Sequence, residues 1–224
     1  MQQYKEDFIK FLVKSNTLKF GDFTLKSGRK CPYFLNLGQF YTGELITQLG
    51  AFYAAALRGY LKDYDVVFGP AYKGIPLSVA VCMSLYERFG INVAYGFNRK
   101  EAKDHGEGGL IVGAPITKDS KLVIVDDVMT AGTALRGCIE LLKQHGNPEI
   151  TGVLIAIDRL EKGQGEKSAV QELKDEFGIK VYSIVSIEEI VSYLYDKELD
   201  GTVYIDNEKF EKIKEYRKLY GVDL

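Results

Sequence analysis

The sequence contains no tryptophan, two histidines, three cysteines and five prolines in 224 residues, and each scarcity removes a class of protein. Cys31, Cys82 and Cys138 are odd in number and widely scattered, so they make neither a disulfide framework nor a zinc knuckle. A reducing, cytoplasmic setting fits them. His105 and His145 are too few for a site built on several imidazoles, which leaves a hard cation held by oxygens as the metal chemistry still open. Stretches free of charge, such as Gly74 to Tyr86, stop at 13 residues, short of the ~20 that a membrane-spanning helix needs. The opening segment, Met1 to Phe11, carries Lys5, Glu6, Asp7 and Lys10 and lacks the apolar core of a signal peptide. Neither sign of charge dominates. With 29 Lys and Arg against 31 Asp and Glu the net charge is -2, so no global field recruits nucleic acid or an anionic membrane, and any bound anion must be held by local charge.

What is present is the composition of a globular chain, 46% hydrophobic and 27% charged. At about 150 residues per domain the length suits one domain over residues 1–224, and no linker rich in Pro, Gly or Ser divides it. Tyr4, Phe8, Phe11 and Leu12 recur at helical spacing, and Leu18 to Leu37 alternates polar and apolar residues around Ser27-Gly28, as two strands meeting at a turn. This predicts a small N-terminal hood over about residues 1–40. Beyond it strand and helix patterns alternate. Strands are expected at Val66 to Gly69, Val93 to Asn98, Leu122 to Val125 and Gly152 to Ile157. Helices are expected near Glu44 to Lys62, Ile75 to Phe89, Thr133 to His145, Ala169 to Phe177 and Ile187 to Leu194. Runs such as VVFG, LVIV and VLIAI are apolar throughout, as strands buried on both faces require. The fold class is therefore α/β, a parallel sheet flanked by helices, and its ligands belong at the carboxyl ends of the strands.

The most informative segment is KLVIVDDVMTAGTA, Lys121 to Ala134, where a buried strand ends in two carboxylates and passes through a small loop into a helix. Thr130, Gly132 and Thr133 offer hydroxyls and close backbone N–H groups at a helix N-terminus, a site for a phosphate. Asp126 and Asp127 would repel phosphate but accept hydrogen bonds from a sugar diol. One motif can thus hold both halves of a phosphorylated ribose. It is not a P-loop, since no Gly-Lys-Ser/Thr follows, nor a dinucleotide fingerprint. A single Asp before a helix is usually just a cap; the full string is more than that. In FGPAYKGIP, Gly69-Pro70 closes a strand, Tyr72-Lys73 forms the bend and Gly74 lets backbone approach a ligand closely. Arg99, Lys100, Lys103 and His105 stand among acidic residues before Gly106, Gly108 and Gly109, either a mobile basic lid or a solvated hairpin of internal ion pairs. Lys26 precedes the hood turn, and Phe34-Leu35 follows a Pro-Tyr bend, offering a charge and an apolar platform to a planar base. Asp158-Arg159 ends a strand with a guanidinium suited to a planar carboxylate, or else to a surface ion pair with Asp158 or Glu161.

VIVDDVMTAGTA closely resembles the phosphoribosyl pyrophosphate motif of the type I phosphoribosyltransferases. FTLKSGRKCPYFLNLG, FGPAYKGIPL and FNRKEAKDHGEGG extend that resemblance to the orotate-using branch of the family across nearly the whole chain. It implies a magnesium-dependent homodimeric transferase in pyrimidine biosynthesis, with an N-terminal hood over the base. Phosphoribosyl pyrophosphate would lie against Lys26, Tyr72, Lys73, Arg99, Lys100, Lys103 and His105, the carboxylates Asp126 and Asp127, and the loop from Val128 and Met129 through Thr130, Ala131 and Gly132 to Thr133 and Ala134. Of these, Lys73, Arg99, Lys103, His105, Asp126 and Asp127 would act in catalysis, with the lid closing over the partner subunit's site. Orotate would meet Lys26, Phe34, Leu35, Thr130 and Arg159. The family carries two adjacent Phe residues where this chain has Phe34 and Leu35. Magnesium would be held mainly by substrate and water, with Asp126 and Asp127 as the nearby carboxylates. A sibling transferase acting on another base would not require Arg159 and Lys26. A regulator that only senses the metabolite would carry a basic patch or an added helix-turn-helix unit, and neither is visible.

Overall fold

Adjacent residues of the central strands are all apolar yet pack into different cores, because successive side chains of a strand point to opposite faces. Val67, Val123, Val125, Leu154 and Ala156 face one layer of helices, while Val66, Phe68, Leu122, Ile124, Val153 and Ile155 face the other. This explains why VVFG, LVIV and VLIAI show no alternation in sequence. The computed structural model describes residues 1–25, 28–103, 109–129, 132–163 and 165–222, the side chains of Ala102 and Lys103 excepted.

In chain order the elements are α1 (Gln3–Lys14), the hairpin β1 (Leu18–Thr24) and β2 (Lys30–Leu35), α2 (Gly43–Tyr60), β3 (Val66–Gly69), α3 (Gly74–Phe89), β4 (Ala94–Lys103), β5 (Gly109–Gly113), β6 (Lys121–Val128), α4 (Thr133–Gln144) and β7 (Glu149–Asp158). They are followed by α5 (Ala169–Phe177), β8 (Val181–Ser186), α6 (Ile187–Leu194), the short pair β9 (Glu198–Leu199) and β10 (Thr202–Val203), and α7 (Asn207–Tyr220). The six-stranded sheet has the order β5-β4-β3-β6-β7-β8. All neighbours run parallel except β4 and β5. That edge departs from the wholly parallel sheet expected, because two strands joined by a short excursion must run antiparallel.

Helix boundaries follow local chemistry. Thr42 caps α2 by accepting from Leu45 N–H, and Ser168 and Ser186 open α5 and α6 with reciprocal capping boxes. Gly90, left-handed at φ 66°, closes α3. Two elements had no clear sequence signal. β8 is short and mixes polar with apolar residues, and α7 buries only Ile213 and Tyr216 among its many charges. α7 packs on β2, with Tyr33 meeting the Tyr216 ring edge-on at 5.8 Å. Among the described residues no helix is long and apolar enough to cross a membrane.

Candidate active site

Because β3, β6 and β7 run in the same direction, their carboxyl ends share one edge of the sheet. That edge carries Gly69-Pro70, Asp126-Asp127 and Asp158-Arg159. The bend after β3 is built on contact between two glycines. A Cβ on Gly69 would fall 1.9 Å from the Gly74 carbonyl oxygen, and one on Gly74 would fall 2.7 Å from the Gly69 carbonyl carbon. Gly74 is thus required by its neighbour Gly69 before any ligand is considered. The Ala71–Tyr72 peptide bond is cis, and Ala71 N–H donates to Asn98 Oδ1 at 3.2 Å, a tie between β3 and β4 that the sequence did not announce. The bend leaves Tyr72 and Lys73 exposed, and Lys100 Nζ stands 4.7 Å from the centre of the Tyr72 ring. Arg99 Nη1 donates to Gly109 O across the β4–β5 hairpin.

Lys73 Nζ meets Asp127 Oδ2 at 2.5 Å, joining the two loops by an ion pair. The paired carboxylates are braced by backbone: Asp127 N–H donates to Asp126 Oδ1, and Val128 N–H to Asp127 Oδ1. Below them Tyr53 of α2, buried in the core, donates its hydroxyl to Asp126 O at 2.7 Å. Burial, followed by the charges of Asp127 and Asp126, pushes the Tyr53 phenol well above its ordinary value, so it stays a donor. Burial and then the neighbouring Asp127 charge raise Asp126 itself to about 6. Beyond the carboxylates Met129 is buried, Gly132 takes a left-handed φ of 70°, and Thr133 and Ala134 open α4 on the exposed side. A small cavity of about 130 Å³ adjoins Tyr53, Lys73 and Asp127. One larger cleft of about 600 Å³ lies between α6 and α7, and another of about 600 Å³ lies between Lys162, Lys167 and Gln171 and the end of α7; neither contains any of the predicted residues.

At the next strand end Arg159 is joined to Glu161, Nη2 lying 2.8 Å from Oε1, and its guanidinium carbon stands 5.2 Å from the centre of the Tyr33 ring. Tyr33 also donates to Glu161 Oε1. Tyr33 points into the core, so its neighbour Phe34 points out, 40% exposed and stacked on Phe23 at 5.5 Å. Leu35 is half-buried against the core. Tyr53, Asn98 and Tyr33 were missed in the sequence because each acts through contacts distant along the chain, whereas the pairing of Arg159 with Glu161 is one of the alternatives the sequence offered. Lys26, His105, Thr130 and Ala131 lie outside the described residues, as does the side chain of Lys103.

The architecture has close counterparts. A family model described as a phosphoribosyl transferase domain matches residues 36–193. Orotate phosphoribosyltransferases of Clostridium acetobutylicum and Colwellia psychrerythraea are 49% and 50% identical to this chain, each over 99% of it and 100% of their own length. The chain belongs to the orotate phosphoribosyltransferase family. The crystal structure of the Francisella tularensis orotate phosphoribosyltransferase superposes with a TM-score of 0.85 at 40% identity, covering 96% of this chain and 99% of that one. The family thus accounts for the hairpin at the front as well as for the sheet.

Among the described residues no three His, Cys, Asp or Glu side chains gather into a metal cage. The donors present at the strand edge are the oxygens of Asp126 and Asp127, a set that fits an ion keeping most of its waters and bound chiefly through phosphate and sugar oxygens.

Proposed function

We propose that this protein transfers ribose 5-phosphate from phosphoribosyl pyrophosphate to N1 of orotate, giving orotidine 5'-monophosphate and pyrophosphate in pyrimidine biosynthesis. The observation that carries this reading is one sheet edge presenting two braced carboxylates beside a glycine-opened helix N-terminus, and a carboxylate-matching guanidinium one strand away. The loop from Val128 to Ala134, including Thr130 and Ala131, receives the 5-phosphate through backbone N–H groups at the start of α4. Asp126 and Asp127 accept the ribose hydroxyls. Positive charge grows on the sugar ring as pyrophosphate departs, so the protein works by positioning and electrostatics, with no side-chain nucleophile. Tyr72, Lys73, Arg99, Lys100, Lys103 and His105 meet the negative charge that grows on the leaving group. Mg²⁺, when bound, would add positive charge that neutralises the departing pyrophosphate, and Asp126 and Asp127 are the carboxylates that would help hold it. Phe34 and Leu35 form the platform for the base, and Lys26, Thr130 and Arg159 read its polar groups.

The working unit is a homodimer of single-domain chains, each with its hood at about residues 1–40 and its lid over the partner's site. Met83 and Tyr86 on α3 and Tyr95 on β4 are large apolar side chains left exposed, a face suited to a second copy. The free thiols of Cys31, Cys82 and Cys138 suit a reducing cytoplasm. The test is loss of orotate absorbance on adding phosphoribosyl pyrophosphate and Mg²⁺, with stoichiometric pyrophosphate release. No consumption of orotate would refute the reading.

A further inference from the structure

The two forks of the Arg159 guanidinium are unequally engaged. Nε and Nη2 both donate to Glu161 Oε1, at 3.1 and 2.8 Å, and Nη2 also stands 3.7 Å from Cys31 Sγ. Nη1 has no hydrogen-bond partner among the described residues. A guanidinium offers a carboxylate either its Nε/Nη2 edge or its Nη1/Nη2 edge. Glu161 closes the first; on the second, Nη1 keeps no partner among the described residues and Nη2 meets only the weak acceptor Cys31 Sγ, which a carboxylate would outcompete.

Glu161 is itself fixed. Its side chain is 9% exposed, Tyr33 donates to its Oε1, and Arg29 Nη1 lies 3.7 Å from its Oε2. Arg29 in turn lies against the Tyr220 ring of α7 at 4.6 Å. The Glu161 anchor therefore ties Arg159 to β2, whose next residue, Phe34, faces outward. The cluster of two guanidinium groups and one carboxylate carries a single positive charge, which one substrate carboxylate would neutralise.

We propose that Glu161 is the positioning residue that locks Arg159 by one fork and so presents the other to the carboxylate of the base, setting the preference for a carboxylated pyrimidine over a bare one. This rests on the reading of Arg159 as the orotate contact. A guanidinium on a flexible stem loses rotamer freedom when it grips a ligand, and a fork already held in place has less to lose. The Glu161 charge also repels a carboxylate from the wrong edge.

The test is steady-state kinetics on the full chain with phosphoribosyl pyrophosphate and Mg²⁺, varying orotate or uracil, for wild type, Glu161→Ala, Glu161→Gln, Arg159→Ala and the double Ala variant. Glu161→Ala is expected to raise the orotate KM roughly ten-fold or more, with less than about a two-fold change in the KM for phosphoribosyl pyrophosphate or in the uracil reaction. Glu161→Gln should recover part of the loss, because its amide oxygen still accepts from Nε and Nη2. In the Arg159→Ala background, Glu161→Ala should add almost nothing. Removing a carboxylate beside a buried guanidinium weakens the fold, so unfolding temperatures are measured alongside, and Glu161→Gln alone carries the test where the Ala variant does not fold. Equal losses for both bases, a full effect without Arg159, or a fall in the orotate KM would each overturn the proposal. A wild type that ignores orotate overturns the functional reading, and this proposal with it. A wild type that uses orotate while neither Glu161 variant changes the preference overturns this proposal alone.

Discussion

The two strand ends that we propose hold the sugar phosphate and the base, the sugar-phosphate end and the base end, each place a cation at a strand terminus, in opposite surroundings. The Lys73 side chain is 62% exposed and its partner Asp127 belongs to the site itself. The Arg159 side chain is 14% exposed and its partner Glu161 is set back among aromatic rings from β2 and α7. An exposed ammonium on a flexible stem can leave its partner and follow charge as it develops, whereas a buried planar fork recognises a shape that does not change during the reaction. Under the function proposed above, the contrast would place rate at one end and selectivity at the other.

The sharpest attack on that division removes both carboxylates. Asp126→Asn with Asp127→Asn is expected to lower kcat/KM for phosphoribosyl pyrophosphate about a thousand-fold, ~4 kcal/mol, with the circular dichroism spectrum unchanged. Unchanged turnover would remove the sugar-phosphate end from the chemistry. At the other end Arg159→Ala should cost ~2 to 4 kcal/mol in kcat/KM for orotate and leave the uracil reaction nearly unchanged. Arg159→Lys should restore only part, since an ammonium keeps the charge and loses the fork. If orotate keeps its advantage over uracil in Arg159→Ala, selectivity resides elsewhere.

A third experiment reads stability. Burial and then the Asp127 charge push Asp126 up to about 6, above the ordinary carboxylate range, so the folded state holds this proton more tightly than the unfolded state does. The group therefore contributes nothing below about pH 4, becomes destabilising as pH rises toward 6, and is fully destabilising above that. Asp126→Asn should accordingly stabilise the fold by about 2 kcal/mol at pH 7.5 in denaturant titrations, with the gain fading by pH 4. A gain independent of pH would mean that charge is not its origin. The smallest effect is expected at the base platform. Phe34→Ala should cost about 1 kcal/mol in orotate kcat/KM, and Leu35→Ala less, because only Phe34 faces outward. A larger cost at Leu35 would reverse the orientation argument.

The two ends also differ in how openly the sequence declares them. Asp126, Asp127, Gly132 and Thr133 fall within eight positions of one strand-loop-helix unit, so a local pattern was enough to bring them together as a candidate site. The base end is assembled from Arg29, Tyr33, Arg159, Glu161, Tyr216 and Tyr220, which share no periodicity. Arg159 could be singled out because it follows a buried strand, and Glu161, two residues on, was one of the two acids the sequence offered it as an ion-pair partner; what local pattern did not show is that Tyr33 and Arg29 hold that acid in place. The central strands were legible from their apolar runs. β8 and α7 were not: β8 is short and mixes polar with apolar residues, and α7 buries only Ile213 and Tyr216 among many charges. The edge strand β5 was hidden by its short, glycine-flanked length.

The last helix carries a consequence for the order of synthesis. Glu161 forms a β-bridge with Gly221, and Val222 N–H donates to Leu160 O at 2.9 Å, so the segment just after α7 clasps the turn that holds Arg159 and Glu161. A chain growing from its N-terminus can fold the sugar-phosphate half once β7 has paired with β6, while the clasp on the base half is still unmade. Under the function proposed above, a nascent chain would complete the place for the sugar before the clasp that holds the base-reading turn.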